Sequence, residues 1–534
     1  MKKGPVQIVK INDKANDHTF QLDEEALKEI VCQDKVKDRP VAVISVAGAF
    51  RKGKSFLLDF FLRYLSSNAD EKWLDDNEEP LGGFHWRGGA DRDTTGILLW
   101  SEVFILKNSL GKEIAVLLMD TQGAFDSLST VRDCATIFAL SAMLSSVLVY
   151  NLSSNIQEDD LQHLQLFTEY GRLALEDSGQ TPFQKLQFLV RDWSYPYESN
   201  FGAAGGAKML KRRLEVSDKQ HPELQALRKH INSCFSKIDG FLLPHPGLKV
   251  ATDPNFKGAV KDIEPLFIEH LKQFIPMTLS PDNVVVKKIS GETVRCKELV
   301  QFFKAYMDIF KGDEMPEPKS MLEATSEANN LASLYAAKET YMQLMESVCG
   351  GEKPYISDSV LDMEHCRIKD QAMEVFGSRR KMGGEEFSLR YKEQLEKEIG
   401  ESYVQFQSHN ESKNIFRAAN TPITLGAFAC MAYVLSQILS LLGLYFFANL
   451  LSSAMVGIFL LLLAWSYTRY SGDFSEMGSY IDNISKIAWE NVIQPTFALM
   501  AEKSTHYATQ QALQRLNSTS VPPNQAGLSR KKSQ

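Results

Sequence analysis

VAVISVAGAFRKGKS, Val41 to Ser55, is the stretch on which the reading of the fold turns. Its first seven residues, Val41 to Ala47, form a short and largely apolar run of the kind that makes a strand buried on both faces. Gly48-Ala49-Phe50-Arg51-Lys52-Gly53-Lys54-Ser55 then matches GxxxxGK[ST], and a helical pattern, Ser55 to Tyr64, opens on its last residue. Strand, glycine loop and helix form the context in which this motif cradles phosphate. The glycines let backbone N–H groups curl around phosphate oxygens. Lys54 supplies a point charge to the β and γ oxygens, and Ser55 supplies a hydroxyl to Mg²⁺.

Outward from this loop, Glu113–Met119, Ser146–Tyr150 and Leu186–Val190 read as further strands. Helical patterns such as Asp159 to Leu175 separate them. The alternation predicts an α/β domain with a mainly parallel sheet and helices on both faces. Asp120-Thr121-Gln122-Gly123 reads DxxG at the end of a strand, where Asp120 can hold the Mg²⁺ shell and Gly123 can meet the γ-phosphate through its N–H. Between the two motifs, Trp86 to Gly96 is a polar, glycine-bearing loop in which Thr94 or Thr95 can close onto Mg²⁺. No NKxD follows Leu186–Val190; Arg191-Asp192 stands there instead, and the Asp192 carboxylate can accept the N1 and N2 protons of guanine. Ala124 occupies the place after DxxG where a water-orienting glutamine is expected, which leaves Arg51, inside the loop, to act as an arginine finger in cis.

The C-terminal part has a different texture. Pro316 and Pro318 mark a switch to long Ala-, Glu-, Lys-, Met- and Leu-rich patterns with breaks at Gly350-Gly351 and Gly383-Gly384, which predicts three antiparallel helices. From Ala418 to Thr468 no residue is charged. One spanning helix needs about 20 apolar residues, so the run predicts two, with a turn near Gly443 to Asn449. Lys413, Arg417 and Arg469 flank it, which favours a hairpin with both ends cytosolic. Ile481, Ile484, Ile487, Ala488 and Val492 then fall near helical spacing, as an amphipathic segment would place them. The Ser-, Asn-, Pro- and Gln-rich end from Asn517 reads as disordered and closes on Lys531-Lys532, a dilysine pattern. The net charge of −8 argues against nucleic acid as a partner. The seven cysteines form no CxxC, so no zinc site is expected.

Several stretches together resemble the atlastins, dynamin-superfamily GTPases related to the guanylate-binding proteins. They are GAFRKGKSF (Gly48–Phe56), WRGG with DTTG (Trp86–Gly89, Asp93–Gly96), DTQGAFDS (Asp120–Ser127), Asn155–Leu175, VRDW (Val190–Trp193), LLPHPGL (Leu242–Leu248), PKSM (Pro318–Met321) and KMGGEEF (Lys381–Phe387). The resemblance implies GTP-dependent homodimerisation in trans and homotypic fusion of endoplasmic reticulum membranes into a tubular network. ER-shaping hairpin proteins enter as implied partners. It implies a GTPase domain over 1–308, a linker over 309–318, a three-helix middle domain over 319–414, transmembrane helices over 423–442 and 450–468, an amphipathic helix over 478–515 and a tail over 516–534. Arg51, Lys54, Ser55 and Thr94 are the implied catalytic residues, and Ser55, Thr94 and Asp120 the implied Mg²⁺ ligands. GTP and GDP contacts are implied for Arg51, Lys52, Gly53, Lys54, Ser55, Phe56, Gln122, Arg191, Asp192, Val250 and Asp253. Asp253 stands where the family usually has a neutral residue. A soluble guanylate-binding enzyme and a nucleotide-gated tether are the competing readings; the long uncharged run opposes the first.

Overall fold

The computed structural model describes residues 3–12, 19–50, 52–70, 72–75, 80–86, 94–123, 130–310, 316–351, 353–413, 415–471, 475–489 and 491. Its nine-stranded sheet contains β1 (Pro5–Asn12), β2 (Thr19–Leu22), β3 (Val41–Gly48), β4 (Ile97–Trp100), β5 (Phe104–Lys107), β6 (Glu113–Thr121), β7 (Val147–Ser153), β8 (Phe183–Arg191) and β9 (Phe235–Leu242). The strand order is β2-β1-β4-β6-β3-β7-β8-β9, with β5 paired to β6. The five strands from β6 to β9 run parallel, and the pairs made by β1, β2, β4 and β5 are antiparallel. The expected strands are therefore present, each extended by one to four residues, except that the third starts one residue later. They lie in a mixed sheet whose antiparallel wing had no counterpart in the sequence reading.

β3 is buried along its whole length, which is why its sequence is a run rather than an alternation. It sits between β6 and β7, so the chain leaves β3 towards opposite sides of the sheet. That reversal opens a crevice at the carboxyl ends of the parallel strands, where α/β sheets bind ligands. One core lies on each face of the sheet. The first includes Leu117, Leu140, Leu186, Phe303 and Tyr306, and the second Ile44, Phe60, Leu118, Phe241 and Phe274.

The helical pattern of Asp159 to Leu175 divides into Glu158–Gln162 and Gln165–Ser178, separated at His163-Leu164. The three long helices are Pro318–Cys349, Asp358–Ser378 and Gly384–Ser412. Met321, Ala324 and Ala328 of the first, with Met382 before the third, are buried in the first sheet core. Thr325 meets the Tyr170 hydroxyl at 3.1 Å, and Arg379 pairs with Glu298 at 2.9 Å. The start of the helical region is thus packed as part of the α/β core and not merely tethered to it.

The chain divides into two compact units, Met1–Val348 with Asp362–Val404 and Cys349–Leu361 with Gln405–Gln534. In the second unit, helices Ile415–Leu441 and Tyr445–Ser471 form a hairpin. The turn is shorter than the sequence reading expected. Gly443, at φ 77°, reverses the chain within Leu442–Leu444, and residues 445–449 are already helical. Thr421–Leu441 and Tyr445–Thr468 are long and apolar enough to cross a membrane. A buried pair of core helices would hide this surface, yet Leu441, Phe446, Phe459 and Leu460 are all exposed. A further helix, Ser475–Ala488, sits at the open end of the hairpin, where Asp482 accepts from Thr421 Oγ1 at 2.5 Å and from Trp465 Nε1 at 2.6 Å. The remainder of the expected amphipathic segment, the Asn517 sequon and Lys531-Lys532 lie outside the described residues, apart from 489 and 491, which are π-helical.

Candidate functional site

A cavity of about 390 Å³ lies over the carboxyl edge of the sheet. Four strand ends feed it. Gly48, the last residue of β3, leads into the phosphate loop. Asp120 is next to last in β6, in register with Val46. Arg191 ends β8, and the chain beyond β9 supplies His245 to Phe256.

The loop's conformation is held from outside its motif. Asn151 Nδ2, on β7, donates to the Lys52 carbonyl at 2.8 Å, and Arg191 Nη1 donates to the same oxygen at 2.5 Å. Lys54 is buried as the first residue of helix Lys54–Ser66, and its ammonium donates to the Ala49 carbonyl at 3.2 Å. Gly123 comes so close to the loop that a Cβ there would sit 2.4 Å from Phe50 Cα and 2.8 Å from Lys54 Nζ. Any side chain at 123 would push into the space the phosphates need.

Three oxygens converge beside Lys54. Ser55 Oγ donates to Asp120 Oδ2 at 2.6 Å, Thr94 Oγ1 donates to the same oxygen at 3.1 Å, and the two hydroxyls are 3.3 Å apart. Neighbouring oxygens around an octahedral Mg²⁺ are about 3 Å apart, so this set has the hard donors and the spacing that ion takes. Among the described residues no cluster of three His, Cys, Asp or Glu side chains exists, so the hydroxyl-carboxylate set is the better metal candidate. Burial pushes the Asp120 carboxyl up, against the Ser55 bond, the Lys54 charge and the Thr94 bond. A cation at this point would remove the cost of its negative charge.

Of the two threonines, Thr94 faces the site. Thr95 is turned to β1, where Gln7 Nε2 donates to its carbonyl and to its hydroxyl, each at 3.0 Å. Gln122 does not line the cavity. Its Oε1 accepts from the Gly96 N–H at 2.9 Å and so tethers the far end of the threonine loop. Arg51 lies outside the described residues.

The base-side wall is made of Arg191, Asp192, Val250 and Asp253 with His245, Pro246, Ala251, Pro254 and Phe256. Asp192 stands at φ 57°, an uncommon conformation for a residue with a Cβ, and its carboxylate accepts from Ser153 Oγ at 3.2 Å. Arg191 is buried with its guanidinium 5.9 Å over the Phe267 ring. Burial pushes its pKa down, and Asp192 pulls it back up. Asp253 is half-buried and caps its own turn by accepting from Asn255 N–H at 2.8 Å. Lys52 is exposed at the rim, while Phe56 is buried at its floor.

Asn151, Phe256 and Asp59 had no role in the sequence reading. Asn151 shows only as a polar residue at a strand end. Phe256 and Asp59 carry no motif at all, because they act through rings and carboxylates brought together from distant segments.

Comparisons with known proteins converge on one family. The description "Guanylate-binding protein, N-terminal domain" matches residues 17–288. The chain is 58% identical over 509 residues to Atlastin of Drosophila melanogaster, covering 94% of each. It is 55% identical over 496 residues to Atlastin-2 of Homo sapiens, covering 93% of this chain and 85% of that one. Against Atlastin-1 of Mus musculus it is 53% identical over 507 residues, covering 95% and 90%.

Proposed function

Because the chain belongs to the atlastin family of guanylate-binding-protein-type GTPases, we propose that it couples GTP hydrolysis to the fusion of endoplasmic reticulum membranes. Two copies in opposed membranes pair through their GTP-loaded domains, the three-helix middle domain then swings across and draws the bilayers together, and the hairpin and C-terminal amphipathic helix help the lipids merge. The observation that carries this reading is that one chain holds both a phosphate-loop pocket and an apolar hairpin, within a likeness that covers more than nine-tenths of its length. A domain that consumes GTP must face the cytosol. Two spans then return the C-terminal helix to that side, where the arriving membrane lies.

In this mechanism the loop amides and Lys54 hold the β and γ phosphates, with Gly53, Lys52 and Phe56 forming the loop's rim and floor. Ser55, Thr94 and Asp120 hold Mg²⁺, which supplies charge stabilisation to the phosphate oxygens when bound. Thr94 turns towards the γ-phosphate side of the pocket, and Gln122 keeps the chain after it on the sheet through Gly96. Asp192 accepts from the guanine edge, with Arg191 beside it and Val250 and Asp253 on the outer side. Arg51 neutralises charge that develops on the transferred phosphoryl group.

The test uses the full chain in phospholipid vesicles. Mg²⁺ and GTP should produce lipid mixing between vesicles, EDTA or Lys54→Ala should abolish it, and the non-hydrolysed analogue should allow tethering at most. GTP turnover without any lipid mixing would remove the fusion step and leave the GTPase standing.

A further inference from the structure

We infer that Asp59 is a positioning residue for the GTPase reaction, holding Trp86 as a wedge that joins the phosphate-loop helix to the Thr94 limb and to the base-side wall. The inference rests on the GTPase reading of this pocket.

Asp59 lies one helical turn beyond Ser55 in helix Lys54–Ser66, on the same face. It is 1% exposed. Both carboxylate oxygens are used: Oδ1 accepts from the Phe84 N–H at 2.7 Å and Oδ2 from Trp86 Nε1 at 2.8 Å. A helix side chain thus holds one backbone group and one ring of the segment that runs on to Thr94. Burial, the largest influence, pushes its pKa up to about 7; the two donors oppose this, and the charge of Asp120 adds to it. A buried carboxylate is costly to keep, and hydrophobic packing alone would be served better by Leu or Met.

What Trp86 touches explains the role. Its ring is edge-on to Phe56, 5.2 Å between centroids, and Phe56 directly follows Ser55. It also lies 5.8 Å from Phe256, in the segment that carries Val250 and Asp253, and Phe56 and Phe256 are themselves 6.2 Å apart, so the three rings close a triangle. The two strips of chain are also joined by backbone, since Leu81 N–H donates to the Gly258 carbonyl at 3.1 Å. Gly258, at φ 85°, leaves no room for slack: a Cβ there would meet Leu81 Cβ at 2.9 Å and Trp86 Cζ2 at 3.0 Å. Trp86 itself lines the nucleotide cavity. A shift of its ring therefore moves the pocket floor and the base-side wall together. Among the described residues, the bond to Asp59 is the directed contact that fixes the ring's orientation, because ring–ring contacts tolerate rotation and a directed N–H bond does not.

Asp59→Asn keeps size and burial but turns one acceptor oxygen into an NH₂ donor facing a donor. Trp86→Phe removes the N–H while keeping an aromatic ring. With the full chain in detergent, each should lower kcat for GTP about tenfold or more, since small misplacements in an active site have effects of that size. GDP affinity should weaken as well, because the ring braces the base-side wall, but by less than kcat falls, since Lys54 and the loop amides still hold the phosphates. The double variant should be no slower than the worse single one, as two residues acting through one bond are not additive. The change in tryptophan emission on adding GDP with aluminium fluoride should be diminished in Asp59→Asn, which keeps all six tryptophans. Parental kcat in a folded Asp59→Asn chain, or multiplicative losses in the double variant, would overturn the inference. If Asp59→Asn does not fold, Trp86→Phe decides alone, and parental kcat in it has the same meaning. A parent chain that turns over no GTP would instead strike at the GTPase reading, while a diminished emission change in Asp59→Asn, which keeps every tryptophan, still reports the wedge, and a parental emission change in it overturns the inference.

Discussion

Lys287→Met should turn a pH-dependent part of the stability into a flat one. Lys287 is buried between the sheet and the C-terminal end of helix Val131–Leu144, where its ammonium donates to the Met143 carbonyl at 2.6 Å and the Ser145 carbonyl at 3.0 Å. Those carbonyls favour the charged form, but burial outweighs them and brings the pKa down from 10.5 to about 7. In the unfolded chain the lysine keeps its proton up to about 10.4. Between the two values the unfolded state binds more protons, so stability rises with pH and is lost as pH falls through about 7. Each pH unit of full proton difference is worth about 1.4 kcal/mol. Integrated from pH 9 to pH 6, the difference is about two units, or roughly 3 kcal/mol. The assay is urea unfolding of parent and variant followed by tryptophan fluorescence at several pH values across that range. Taking the difference between the two chains cancels the titrations they share. The variant should gain roughly 3 kcal/mol on the parent at pH 6 relative to pH 9. A difference that is flat, or that favours the parent at low pH, refutes the argument that burial sets the charge of this group.

Three further predictions concern the nucleotide cycle. Arg51→Ala should lower GTP hydrolysis by about 10³-fold with the fold intact, and an unchanged rate at saturating GTP would remove the cis-finger role. Asp192→Asn should weaken GTP and favour XTP, whose base edge inverts the donor pattern; competition binding with GTP, XTP and ATP measures it, and an unchanged preference moves the base reader elsewhere. Residues 1–412 should be monomeric without nucleotide and dimeric with a transition-state mimic, and light scattering that returns one mass in both states would count against pairing through the loaded pocket.

The sequence alone was enough for everything that rests on local rules. A run of apolar residues ending in Gly48, a glycine loop and a helix opening at Lys54 belong to one continuous stretch, so strand, loop and helix were legible there. The uncharged run from 418 to 468 was equally plain, because a membrane's thickness is written as a length of apolar chain. Asp120 and Arg191-Asp192 could be marked because strand ends next to a phosphate loop are where α/β sheets bind ligands. Tertiary structure decided the rest, since it depends on which distant segments meet. It chose Thr94 over Thr95, because Gln7 of a strand at the other end of the chain holds Thr95 away. It turned Gln122 from the pocket to Gly96. It drew Met321 and Met382 of the helical region into the α/β core. It paired Asp59 with Trp86, 27 residues apart, neither in a position that a local pattern marks. A periodicity reports which face of an element is apolar, but a directed hydrogen bond between separate segments exists only once the chain has folded to bring donor and acceptor within about 3 Å.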